Sequence, residues 1–112
     1  MSFEKIKEGD FYALNAPGLR GHFIIVVRVE LPLLFLYDTI DKEYFKTTIE
    51  EFKRAKTFIA ESPDDRHRLP YVDYVKTIPD NIWFPLKKYC EERMKLKPVK
   101  TRSLMFGNKI KP

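Results

Sequence analysis

The chain has 112 residues, 44% hydrophobic and 33% charged, including nine Phe, six Tyr and one Trp. That length suits one folded domain with its own core, and the composition excludes a wholly disordered or collagen-like chain. The formal net charge of +5 is unevenly divided: twelve Asp/Glu against nine Lys/Arg through Asp65, then four against twelve from Arg66 onward.

In chain order, Lys7-Glu8-Gly9-Asp10 is a turn signal, and Phe11-Tyr12-Ala13-Leu14 is a first strand. Asn15 to Gly21 reads as a loop. His22 to Glu30 is the strongest predicted strand, apolar on both faces for six residues, as in a central strand covered on each side. Leu31-Pro32 ends it, because proline has no donor for a ladder. Leu33 to Tyr37 follows as a strand, Asp38 to Lys42 as a polar turn, and Glu43 to Thr47 as another short strand.

Thr48-Ile49-Glu50-Glu51 has the spacing of a capping box, which predicts a short helix from Ile49 to Ala55 with Ile49 and Phe52 inward. Thr57 to Ala60 reads as a strand, Glu61 to Leu69 as an exposed loop, and Pro70 to Val75 as a further strand. A helix follows Pro79-Asp80. Pro85 places its start at Phe84 or Pro85, with residues 80–83 as a separate turn. Residues 1–96 thus form a single α+β domain, and 97–112 a basic C-terminal tail. The short connections favour a small bent antiparallel sheet or barrel, because a parallel crossover takes a dozen or more residues.

Signatures of catalysis are missing. His22 and His67 have neither the spacing nor the carboxylates of a zinc peptidase motif. His22 enters the central strand and reads as a half-buried histidine bonded to backbone, with a place at a cleft mouth as the alternative. His67 reads as a solvated loop residue. Cys90 reads as a small buried hydrophobe. There is no glycine-rich phosphate loop and no serine elbow. No cofactor or metal is expected. Uncharged apolar runs such as His22 to Val27 are far short of the ~20 residues of a spanning helix. With one cysteine and no cleavable leader pattern, the expectation is a cytoplasmic protein without membrane contact.

What remains is a mixture of rings and cations in the second half. Arg66, Arg68, Tyr71, Tyr74, Trp83, Lys87, Lys88, Arg93, Lys97, Lys100 and Arg102 are the candidate binding residues, joined by Phe84 and Tyr89. Exposed together, such residues form protein hot spots or stack bases and contact phosphates. The alternative is that the rings fill the core and the lysines rim it.

Gly9-Asp10-Phe11-Tyr12, the Gly18/Gly21 loop and Phe23-Ile24-Ile25-Val26-Val27 resemble the opening of small SH3-like β-barrels over about residues 7–38. Two groups share this pattern: immunity protein 26-like proteins, which neutralise toxins by binding, and MazF/PemK-like ribonucleases. The resemblance implies an SH3-like barrel. The ribonucleases place Arg-Pro before the hydrophobic strand, where this chain has Gly21-His22, so no catalytic set carries over. The leading expectation is a non-enzymatic binding module for another protein, of immunity, antitoxin or phage-encoded inhibitor type. The alternatives are an RNA- or DNA-binding protein using residues 66–112, and a MazF-like ribonuclease using Arg20 or Arg28 with Thr47 or Thr48.

Overall fold

The computed structural model describes residues 6–15, 21–61, 71–102 and 104. The elements are β1 (Asp10–Asn15), β2 (His22–Glu30), β3 (Leu33–Asp38), β4 (Glu43–Thr48), α1 (Ile49–Glu61), β5 (Tyr71–Thr77), α2 (Asp80–Met94) and β6 (Lys100–Thr101). The strands make one six-stranded sheet in the order β5-β1-β2-β3-β4-β6. Neighbours are antiparallel except β4 and β6, which run parallel. The fold is α+β with a mixed sheet. Among the described residues the sheet does not close into a barrel; β5 and β6 are its edges.

The two-sided apolarity of β2 has a direct structural cause. Ile24, Ile25, Val26 and Val27 are all buried, because a helix covers each face of the sheet. On one face, Tyr12, Leu14, Ile24, Val26, Leu34, Leu36, Phe45 and Val72 pack with Phe52 and Ala55 of α1. On the other, α2 lies against β2 with Trp83 and Cys90 buried. A register shift between Val26 and Arg28 leaves Val27 as the extra residue of a bulge, re-aiming the strand beyond it. Trp83 sits over Gly9, whose φ of +91° suits glycine and whose missing Cβ would meet the indole at 3.2 Å.

Three local expectations are corrected. Thr57 to Ala60 is helix, not strand: α1 runs thirteen residues, to Glu61. Thr48 Oγ1 does accept the Glu51 N–H at 3.1 Å, as the capping spacing implied. Phe58 and Ile59 stand three and four residues after Ala55, so the helical period continues through a run too short to distinguish from a strand. The second correction concerns α2, which begins at Asp80, five residues before Pro85. Its first turn is closed by Ile82 and Trp83 N–H groups donating to the Pro79 carbonyl at 2.9 and 2.8 Å. Burial of Trp83 holds that turn in place although Pro85 removes a helical bond of the next one. Third, the edge strand β6 is parallel, where every pairing was expected to be antiparallel.

The segment read as a basic tail contributes to this architecture. Lys100 and Thr101 form β6, and Leu104 is fully buried in the α1-side core. Its N–H donates to Glu51 Oε1 at 2.9 Å, which ties the segment to the first turn of α1.

Candidate functional site

α2 is buried along one seam. Trp83 and Cys90, seven residues apart, face the sheet, with Leu86, Lys87 and Met94 half-buried around them. Two exposed flanks border this seam: Ile82, Tyr89 and Arg93 follow one another along one, Phe84 and Lys88 stand on the other, and Leu96 follows just beyond the helix end. Phe84 is 63% and Leu96 71% exposed. The Arg93 guanidinium lies 5.6 Å above the Tyr89 ring, a cation–π arrangement that orders both side chains.

At its C-terminal end, α2 forms one wall of a cleft of about 180 Å³. The facing wall is Lys42, Glu43 and Tyr44, from the β3–β4 turn and the start of β4. The floor is the segment from Leu96 to Lys100. Lys42, Arg93, Lys97 and Lys100 bring four positive charges to this cleft against the single carboxylate of Glu43. Among the described residues none of the four forms an ion pair, whereas other cations are committed. Lys87 is paired with Glu8 and lies near Glu91. Arg28 reaches Glu30 at 3.2 Å and Glu91 at 3.4 Å.

The turn that supplies Lys42 is built by Asp38. This buried carboxylate accepts the Ile40 and Asp41 N–H groups on Oδ1, at 2.9 and 3.0 Å. Its Oδ2 lies 2.7 Å from Nδ1 of His22. A carboxylate can only accept, so Nδ1 carries the proton and Nε2 is left as the other ring nitrogen. Lys42, at φ 59°, then donates its N–H to the Asp38 carbonyl at 2.7 Å. His22 is thus half-buried as expected, but its partner is a carboxylate rather than backbone. Ligand atoms of His22, Asp38 and Asp41 lie within 4.8 Å of one another, the spacing a cation needs. The Asp38 oxygens, however, are already engaged by the ring and the turn. The adjacent hydroxyl, Thr39 Oγ1, donates to the Phe23 carbonyl at 3.0 Å and is not aimed at the imidazole.

Behind the cleft, the Tyr44 hydroxyl bonds the buried thiol of Cys90, and the Tyr37 and Tyr44 ring centroids are 4.6 Å apart. Burial pushes up the pKa of Cys90 and, more strongly, that of Tyr44; Tyr37 moves the same way. A thiol held neutral in this way is a packing group, not a nucleophile. Because both pKa values are raised in the folded state, the unfolded chain loses these protons first as pH rises. The contribution to stability is complete below the ordinary thiol value of 9.0 and declines above it. Urea midpoints measured from pH 8 to 10.5 are therefore expected to fall, and to fall less steeply in a Tyr44→Phe, Cys90→Ala variant. Equal slopes for the two proteins would contradict this assignment.

The candidate residues fall into separate groups. Arg93, Lys97 and Lys100 converge on the cleft, and Lys88 lies on an exposed flank of α2. Trp83 departs from the expectation of a surface contact: it is 3% exposed and part of the packing against Gly9. Lys87 turns toward Glu8. Arg102 holds its guanidinium 5.7 Å from the Phe45 ring, with a buried Nε that has no hydrogen-bond partner among the described residues. Tyr74 is exposed on β5, the opposite edge of the sheet from β6, and its hydroxyl bonds Thr77. The Tyr71 side chain, Arg66 and Arg68 lie outside the described residues, as do His67 and Arg20. For the ribonuclease reading, Thr47 is buried with its hydroxyl 3.4 Å from Glu51, and Thr48 caps α1. Lys42, Tyr44 and Leu96 were missed; the turn reading of Asp38 to Lys42 was the available signal for the first. Among the described residues, no helix is long and apolar enough to cross a membrane. No protein-family model, curated protein or solved structure matches this chain.

Proposed function

We propose that this protein is a non-enzymatic binding module for another protein, with one exposed flank of α2 and the cleft at its end as the contact surface. One observation carries the reading: Ile82 and Tyr89, two turns apart on one flank of α2, and Leu96 at the helix exit expose large apolar surface beside Arg93 and Lys97. Scattered apolar residues are ordinary on a surface. An apolar row edged by Tyr and Arg is the composition of an interface centre. Action in the cytoplasm, as an inhibitor of immunity or antitoxin type, is the specific form of this proposal that the sequence suggested.

RNA or DNA binding draws on the same cations and is the second reading. The apolar row weighs against it, because contacts to a phosphate backbone are polar and ionic. The two are separated by placing a photo-crosslinking phenylalanine analogue at Ile82, on the Tyr89 flank, in the full chain, in its native cells. The expected product is a discrete protein adduct, reduced by Tyr89→Ala, a hot-spot truncation costing about 2 kcal/mol or roughly 30-fold in affinity. Adducts to nucleic acid alone would favour the second reading, and no adduct would remove the first.

A further inference from the structure

We propose that the cleft between the β3–β4 turn and the end of α2 seats an acidic side chain of the partner. This Glu or Asp belongs to an extended segment whose apolar neighbour lies against Leu96 and the Tyr89 ring. The inference rests on the protein-binding reading above and specifies the partner's chemistry.

Charge is the first argument. Lys42, Arg93, Lys97 and Lys100 arrive from three separate parts of the chain, and among the described residues none is neutralised by an ion pair. Like charges gathered in a concave site raise its potential and draw an anion to it. Glu43 alone opposes them, leaving an excess of three positive charges at the lining.

Size and wall chemistry narrow the occupant. At about 180 Å³ the cleft is well below the ~300–1,000 Å³ of typical small-molecule sites. That size suits a carboxylate on a short arm. Tyr44, Met94, Leu96, Pro98 and Val99 supply an apolar lining beside the cations. Such walls displace water around an ion pair and strengthen it relative to one on an open surface. They also offer contact to the methylenes of a Glu or Asp arm. The row formed by Tyr89 and Leu96 leads into this opening, since Arg93 both lines the cleft and covers the Tyr89 ring. An acidic residue beside an apolar one therefore matches the two halves of the surface at once.

The test is selection from a random peptide-display library on the full-length protein, with Arg93→Glu, Lys97→Glu as the comparison. Both side chains are exposed, so the double variant is expected to keep the fold, checked by its circular dichroism and melting. The expected result is enrichment of Asp or Glu next to an apolar residue. A selected peptide should bind about tenfold more weakly to the double variant, or after its own Glu→Gln change. Amide shifts on binding should centre on residues 42–44 and 96–100. Selected peptides that lack acidic residues, or bind both proteins equally, overturn the cleft assignment while leaving α2 as a protein-binding surface. A single-stranded oligonucleotide that shifts the same amides, where no selected peptide does, overturns the protein-binding reading as well.

Discussion

Phe52→Ala is expected to lower the unfolding free energy by about 3–5 kcal/mol, the largest loss from any single truncation considered for this chain. Phe52 is fully buried where α1 meets the sheet, and its ring stands edge-on to Tyr12 with centroids 5.0 Å apart. Leu34, Leu36 and Phe45 belong to the same core. Truncation removes the transfer free energy of a phenyl group and leaves a void that strands on a hydrogen-bonded sheet cannot collapse to fill. It also deletes the edge-to-face pair, worth about 0.5–1.5 kcal/mol beyond area. Small domains hold only ~5–15 kcal/mol in total, so the variant should unfold at a much lower urea concentration with an unchanged slope. A midpoint close to that of the parent protein would mean that α1 does not anchor the core.

The second large effect is expected at Asp38, where alanine should cost about 2–4 kcal/mol. The carboxylate has no exposure and serves three donors: the His22 ring and the Ile40 and Asp41 amides. Its removal leaves an imidazole without its partner and opens the turn that positions Lys42. Asp38→Asn keeps an acceptor for the turn amides, so its loss should be smaller. Guanidinium unfolding measures the cost. Hydrogen exchange at Ile40 and Asp41 reports the turn, and should accelerate more in the alanine variant than in the asparagine one. Equal protection in the two variants would show that the turn forms without the side chain.

The front of the molecule was legible because its signals are local. β1 to β4 follow turn residues and β-rich runs in strict succession, each strand pairing with the next. The unbroken apolar run of β2 asked for cover on both faces, which α1 and α2 supply. The later part obeys longer-range causes. α1 extends through a segment whose composition fits a strand equally well, and α2 starts early because Trp83 finds Gly9, some seventy positions away in sequence. Charge asymmetry drew attention to Arg93, Lys97 and Lys100, which the fold gathers in one cleft. It could not reveal Lys42, which belongs to the acidic half and reaches the cleft only through strand pairing. Nor could it separate Lys87, held by Glu8, from Lys88, one residue on and facing outward.

The arrangement of the sheet edges bears on the order in which the chain can fold during synthesis. The four-strand meander is complete once Thr48 has left the ribosome, but its flanking partners are made last: β5 beside β1, then β6 beside β4. Until those segments emerge, the nascent meander presents two unsatisfied borders and an interior still waiting for Leu104. Domains built this way depend on late, non-local pairing, so the interval of translation between Thr48 and Leu104 is when this chain is most open to misassociation with its neighbours.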